Sequence, residues 1–344
     1  MTAVLTVDLA AFQRNLDVVR ERVAPAELML VVKDDAYAHG LEPIVTHAAR
    51  HGVRWFGAFD VATGLRVRAI AGPDAGIFVW MVFGVEEARR AIDAALDLGV
   101  GDADTLEEVA LAAEAAGRTA RLHLKIDTGL HRNGVRPEQW PAFVERAAEL
   151  AAAGVVEIIG VWSHIAEASD AEDDAARARY EAALRVVEAR GQQRTLRHLA
   201  ASAASFDRTG FRYDMVRVGA FCYGIRSAGG PGEDVLGVQP IATLDAPVLA
   251  LGDEGVRIGI GSADGLPSVL GGRMSVGTPD GPRRMLRIDE MDCLVEPWPG
   301  AAVGQRVRIM GQGTSSPTDL AEAMGSIGEE IAVRVSPLVE RRYR

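Results

Sequence analysis

Up to about Gly224, short apolar runs alternate with longer segments whose apolar residues recur at every third or fourth position. The runs are ELMLVVK, VRWFGAFD, IFVWM, DLGVG, ARLHLKID, VEIIGVWSH, TLRHLA and MVRVGAFCYG. Between them lie Ala-, Glu- and Arg-rich stretches such as VEEARRAIDAAL, TLEEVALAAEAAG and AARARYEAALRVVEARG. The runs read as strands buried on both faces, because a strand with one wet face alternates apolar and polar positions. The longer stretches read as amphipathic helices. Strands and helices alternating in this way predict a (β/α)8 TIM-like barrel; an open doubly wound sheet is the alternative and needs more asymmetry. After Gly224 the texture changes. AGGPGEDV is a loop signal, and PIATLDAPVLAL, GVRIGIG, RMLRID and RVRIMG are β-type runs set among Gly and Pro. They predict a mostly-β C-terminal domain, joined by the N-terminal AVLTVDL strand and interrupted by one helix near residues 318–325. The expected boundaries are residues 8–228 for the barrel, and residues 1–7 with 229–344 for the β domain.

Composition narrows the function classes. Of 344 residues, 48% are apolar and 25% charged, so a large core is easily buried. The formal net charge of −11 argues against nucleic acid and against an anionic membrane surface as partners. No uninterrupted apolar stretch is long enough to span a bilayer, and MTAVLTVDLAAF lacks the form of a signal peptide. Two cysteines, Cys222 and Cys293, do not make a disulfide framework. The expectation is a cytoplasmic protein with a small-molecule substrate.

In a barrel of this kind chemistry sits where strands end. The ends of the runs carry Lys33 and Tyr37, Lys125 and Asp127, Arg132, His164, Ser202 and Arg217. Any one of these alone suits a solvated strand terminus. Together they suit an anionic, planar, phosphorylated ligand. Desolvation lowers the pKa of a lysine and makes it a nucleophile able to form a Schiff base. A histidine can stack on a flat heterocycle. Ser202, with the amides of Ala203 and of Gly219 and Ala220, can donate to a phosphate. An arginine facing a ring nitrogen donates a hydrogen bond without giving up its proton.

These residues stand in stretches that resemble the alanine racemase family of fold type III pyridoxal-phosphate enzymes. VVKDDAYAHG is similar to the family's VVKANAYGHG, LHLKIDTGLHRNGV to HLKVDTGMHRLG, WSHIAEASD to its THFA segment, and RHLAASAASF to HLANSAA. DMVRVGAFCYGI resembles MVRPGIALYG, IGIGSADGLP resembles IPIGYADGYP, IDEMDCLVE resembles RVSMDQ, and RVSPLVERRY resembles the RVPRVY ending. The resemblance implies pyridoxal 5′-phosphate as cofactor, a (β/α)8 barrel plus a β domain, and a homodimer with shared active sites. It implies that Lys33 holds the cofactor and transfers a proton, and that Tyr37, Ser202, Gly219 and Ala220 bind phosphate. His164 would stack on the ring, Arg217 would face the pyridine nitrogen, and Arg132 would meet the substrate carboxylate. Lys125, often carbamylated in the family, would position Arg132. Met291 and Asp292 would reach into the second subunit's site.

One departure bears on the reaction. The family's second proton-transfer base is a tyrosine in a stretch like VSYGATYTA, whereas here TLDAPVLALGDEGV runs straight into RIGIGSADG, and no tyrosine lies between Tyr223 and Tyr343. Two tyrosines that narrow the family's substrate channel correspond to Ser262 and Glu329. Cys293, Asp264, Glu329 or a water are the candidate substitutes for the second base, Cys293 being also a candidate buried strand residue. Three functions stay open: an amino-acid racemase with a substitute base; one-base chemistry on a D- or β-hydroxy amino acid (aldolase, transaldolase or decarboxylase); and a pyridoxal-phosphate-binding protein without turnover.

Overall fold

A computed structural model of the protein describes residues 2–167, 169–192 and 194–344. The chain forms two compact units: residues 19–33 with 48–219, and residues 1–18 with 34–47 and 220–344. The second unit therefore takes up more of the N-terminal region than the single strand the sequence suggested. The reason lies in that unit's own contacts. Asn15 Nδ2 donates to Cys222 O (3.2 Å) and Gln239 O (2.8 Å), its Oδ1 accepts from Gln239 N (3.0 Å), and Phe12 stacks on Tyr223.

Strand β1 (Val4–Val7) belongs to the β unit. The next eight strands are β2 (Glu27–Val31), β3 (Trp55–Asp60), β4 (Gly76–Met81), β5 (Asp97–Val100), β6 (Ala120–Lys125), β7 (Val156–Trp162), β8 (Leu196–His198) and β9 (Met215–Val218). They are parallel and lie in the order β8-β7-β6-β5-β4-β3-β2-β9. Asp214 N–H donates to Arg197 O and Arg217 N–H to Ala200 O, each at 3.1 Å, so β9 also meets β8 and the ring closes. The barrel read from the buried runs is thus the fold found. Helices such as Ala103–Ala116, Trp140–Ala152 and Asp170–Glu188 separate the strands and bury one face each. Their starts are written locally: Asp60, Asp102 and Ser169 each accept from a backbone N–H of the first turn that follows.

The β unit continues through β10 (Ala242–Gly252), β11 (Gly255–Ile258), β12 (Ser275–Thr278), β13 (Gly281–Ile288), β14 (Cys293–Val295), β15 (Arg306–Met310) and β16 (Glu340–Tyr343). Its order is β11-β14-β13-β12-β15-β10-β1-β16, and β10 also pairs with β11, closing the first six strands into a ring. All pairs are antiparallel except β1 with β16. The interior is filled by residues such as Leu244, Val248, Ile258, Cys293 and Val307. β10 and β11 meet in a hairpin in which Gly252 pairs with Gly255, leaving only Asp253 and Glu254 at the tip. Gly255 has φ +142°, and a Cβ there would lie 2.5 Å from Val295 O, so the turn admits no side chain at that position. Two helices, Pro317–Glu322 and Gly328–Arg334, stand where the sequence suggested one. The second is short, opens with Glu329 and Glu330 and ends on Arg334, which bridges Glu330 at 2.6 Å; it is carried by charge placement rather than by an apolar period.

Just after Lys33, still within the β unit, Asp34, Asp35, Ala36, Tyr37 and Ala38 all have φ between +53° and +62°. Ala38 N–H bonds to Asp34 O at 2.8 Å, so this is one turn of left-handed helix made without glycine. Each such residue costs roughly 1–2 kcal/mol, so packing must hold the turn in place. Asp35 Oδ1 accepts from Leu41 N at 3.1 Å, at the start of the helix Leu41–Arg50.

Candidate active site

In the barrel unit the strand ends bring basic groups together. Lys125 closes β6 and is buried, with Nζ 4.2 Å from the Trp162 ring centroid. Burial, helped by Arg217 and Arg132, lowers its amine from the ordinary 10.5 to about 7, with Asp127 pulling the other way. Arg217 on β9 is buried too. Its NH1 donates to His198 O (3.0 Å) and its NH2 to Ser163 O (2.7 Å) and Leu199 O (3.0 Å). The same guanidinium lies 3.1 Å from His198 Nδ1 and 3.4 Å from His164 Nδ1. Burial, then Arg217, Arg132, Lys125 and Lys33, holds the His164 imidazole down at about 3. His164 is therefore neutral at physiological pH, with two arginines and two lysines bearing on it. Lys33 follows β2 by two residues and is partly buried.

Ser202 opens a short helix, Ser202–Asp207, in which Ala204 N–H already donates to Glu167 Oε1 at 2.9 Å. Gly219 follows β9 and is buried. Arg132 is exposed, in the loop after β6. In that loop Asp127 accepts from the backbone N–H groups of Gly129 and His131 and from Arg136.

The remaining candidates belong to the β unit. Tyr37 is buried against Tyr223 with ring centroids 4.8 Å apart; burial, then Glu329 and Asp34, pushes its hydroxyl well above the ordinary phenol value. Ala220 is buried, Ser262 is exposed, and Met291 is 69% exposed. Asp292 accepts from Arg257 at 2.7 Å. Cys293 requires a correction. It lies wholly inside the β core, its thiol donates to Ile260 O at 2.8 Å, and burial with Asp292 and Asp289 pushes it up to about 12. Asp264, another of the substitutes named above, accepts from Gly261 N at 2.9 Å within its own turn.

Sequence reasoning passed over a buried polar chain behind Arg217, formed by Asp97, His123 and His198, with Trp162 beside it. The available signal was parity: His123 and Lys125 stand two apart on β6 and so share a face.

Comparison with known proteins decides the family. The profile described as alanine racemase, N-terminal domain, matches residues 7–227. The alanine racemase of Thermobifida fusca is 36% identical over 98% of this chain and 96% of its own, and that of Beutenbergia cavernae is 34% identical over 97% and 96%. The chain belongs to the alanine racemase family. Among solved structures, alanine racemase from the D-cycloserine producer Streptomyces lavendulae superimposes with a TM-score of 0.92 at 31% identity, covering all of this chain and 97% of that one. The Streptomyces coelicolor enzyme gives 0.93 at 30%, over 99% and 98%.

Alanine racemases use pyridoxal 5′-phosphate, and the residues of this chain's barrel fit that group. An anionic, aromatic ligand with a carbonyl matches a cluster whose cations outnumber its carboxylates, with a neutral imidazole among them and an amine at a strand end. Among the described residues no helix is long and apolar enough to cross a membrane, and no group of His, Cys, Asp and Glu side chains is arranged to hold a metal.

Proposed function

We propose that the protein is a pyridoxal-phosphate-dependent isomerase that inverts the α-carbon of a small amino acid, alanine first among them. The observation that carries this reading is the convergence of Lys33, Lys125, Arg132 and Arg217 on a neutral His164 in a member of this family. When bound, pyridoxal phosphate supplies a carbonyl for an amine and an electron sink for the α-carbon's electron pair. Lys33 would hold it and would take or return the α-proton at Nζ on one face. His164, uncharged, would lie against the ring. Arg217 would donate to the ring nitrogen, and because it cannot give up its proton it would leave that nitrogen unprotonated. Arg132 takes the substrate carboxylate. Lys125, about half relieved of its charge at neutral pH or carbamylated, lessens the like charge beside Arg132. Tyr37, Ser202, Gly219 and Ala220 are assigned to the phosphate by their correspondence to the family's motifs. The second proton carrier is Glu329 or a water. The working form is a homodimer in the cytoplasm, with Met291, Asp292 and Ser262 at the substrate entrance.

The test is direct. The loaded enzyme converts L-alanine to D-alanine and the reverse, read by chiral chromatography, and Lys33→Ala abolishes both. One observation favours a second reading. The two-residue turn between β10 and β11 has no room for a tyrosine-bearing excursion, and an enzyme with Lys33 alone works on one face, as in retro-aldol cleavage or decarboxylation. Aldehyde release from D-threonine without inversion of alanine would select that reading.

A further inference from the structure

Behind Arg217 the barrel holds a continuous hydrogen-bonded chain. Arg217 NH1 lies 3.1 Å from His198 Nδ1, His198 Nε2 lies 2.8 Å from His123 Nδ1, and His123 Nε2 lies 3.2 Å from Asp97 Oδ2. Asp97, His123 and His198 are at most 2% exposed. Arg121 holds the far end, with Nε 2.5 Å from Asp97 Oδ1 and NH2 3.2 Å from Oδ2. Burial opposes ionisation of Asp97, but His123 and Arg121 outweigh it and keep the carboxyl below its ordinary value. Burial, with His123 and Arg217, drives the His198 imidazole far below its usual range.

The protons in this chain have one arrangement. Arg217 only donates and an ionised Asp97 only accepts. His198 Nδ1 must then be bare, its hydrogen on Nε2 pointing to a bare His123 Nδ1, whose ring sends its own hydrogen from Nε2 to Asp97. Protonating His123 twice would force a hydrogen onto His198 Nδ1, against an Arg217 donor. The packing is shaped to this chain. Trp162 Nε1 donates to His123 O (3.2 Å), its ring lies parallel to His198 within 6°, and the Tyr180 hydroxyl accepts from His198 N (3.0 Å). A Cβ on Gly160 would collide with His123 Nδ1, so the strand leaves a glycine there.

We propose that Asp97 is a positioning residue for Arg217, acting through His123 and His198: it fixes the tautomer of both rings and so keeps an acceptor lone pair facing the guanidinium. The consequence for catalysis rests on the reading that Arg217 faces the cofactor's ring nitrogen; the tautomer lock itself does not. In Asp97→Asn the remaining oxygen stays with Arg121 and the amide N–H₂ turns to His123 Nε2, which reverses the whole chain and sets two donors against each other at Arg217.

The experiment is ¹⁵N NMR of histidine-labelled full-length protein, with and without pyridoxal phosphate, assigned with single His→Gln variants. Wild type should show His123 and His198 both as Nε2–H tautomers, and Asp97→Asn should move His198 to Nδ1–H. In the loaded enzyme kcat should fall about tenfold or more, the loss known for the hydrogen-bond partners of metal-ligating histidines, with KM nearly unchanged. Should Asp97→Asn fail to fold, Gly160→Ala displaces the His123 ring and should mix the His198 tautomers. A wild-type His198 carrying hydrogen on Nδ1, tautomers indifferent to both variants, or a reversed chain with unchanged kcat each overturns the proposal. A locked chain in a protein that binds no cofactor would leave the lock standing and remove the proposed function.

Discussion

Replacing Lys125 with methionine removes a buried amine of similar length and should stabilise the protein in a pH-dependent way. In the native chain the amine titrates near 7 rather than 10.5, because burial and the neighbouring Arg217 and Arg132 disfavour its charged form. The unfolded chain therefore binds more protons than the native one from about pH 7 to 10.5, and the lysine's contribution to stability rises with pH through that window. Below pH 7 both states hold the proton and the contribution is flat, at its least favourable. Integrating the neutral fraction of a group titrating near 7 gives about 1.4 kcal/mol between pH 6 and 8, and about 2.7 kcal/mol between pH 6 and 9. The assay is urea unfolding of the cofactor-free protein in buffer stripped of carbon dioxide, wild type against Lys125→Met, at pH 6, 7, 8 and 9. The variant should be the more stable at pH 6 by several kcal/mol, and its advantage should shrink by these amounts as pH rises. Parallel curves would refute the reasoning, since they would mean that the amine keeps its ordinary pKa in the barrel.

Other expectations concern single positions. Lys33→Ala should leave the far-ultraviolet spectrum intact and abolish the visible absorbance that wild type acquires with pyridoxal phosphate. Cys293→Ala should cost about 1 kcal/mol in denaturant for a small void in the β core while leaving kcat unchanged, and the native thiol should resist iodoacetamide at pH 8, consistent with its rise to about 12. Ala36→Gly, at φ +56°, should raise stability by roughly 1 kcal/mol by relieving left-handed strain at that residue, measured by urea titration. Exposure to ¹³C-labelled bicarbonate should give a carbamate signal in wild type that is absent from Lys125→Met.

The barrel was legible because parallel strands buried on both faces announce themselves as unbroken apolar runs, and the helices between them keep a clean period. The lysine that ends the apolar run ELMLVVK and the arginine of MVRV were legible because cations rarely stand at the ends of buried strands without cause. The left-handed turn after Lys33 was not, since nothing in DDAYA asks for positive φ and tertiary packing imposes it. Asp97, His123 and His198 were missed for a related reason. They stand on three different strands, one on each, and only the register of β5, β6, β8 and β9 brings them into line. Cys293 misled in the other direction: its place after Met291 and Asp292 suggested the substrate, whereas strand alternation turns it into the core.

The central claim is proton transfer at the α-carbon of alanine on both faces. Its most direct measurement is ¹H NMR of L-alanine and, separately, D-alanine in heavy water with the pyridoxal-phosphate-loaded enzyme, followed by chiral separation. The account predicts loss of the α-proton signal from both enantiomers, with the opposite enantiomer appearing deuterated at the α-carbon. Exchange confined to one enantiomer without inversion, or no exchange from either, would contradict it.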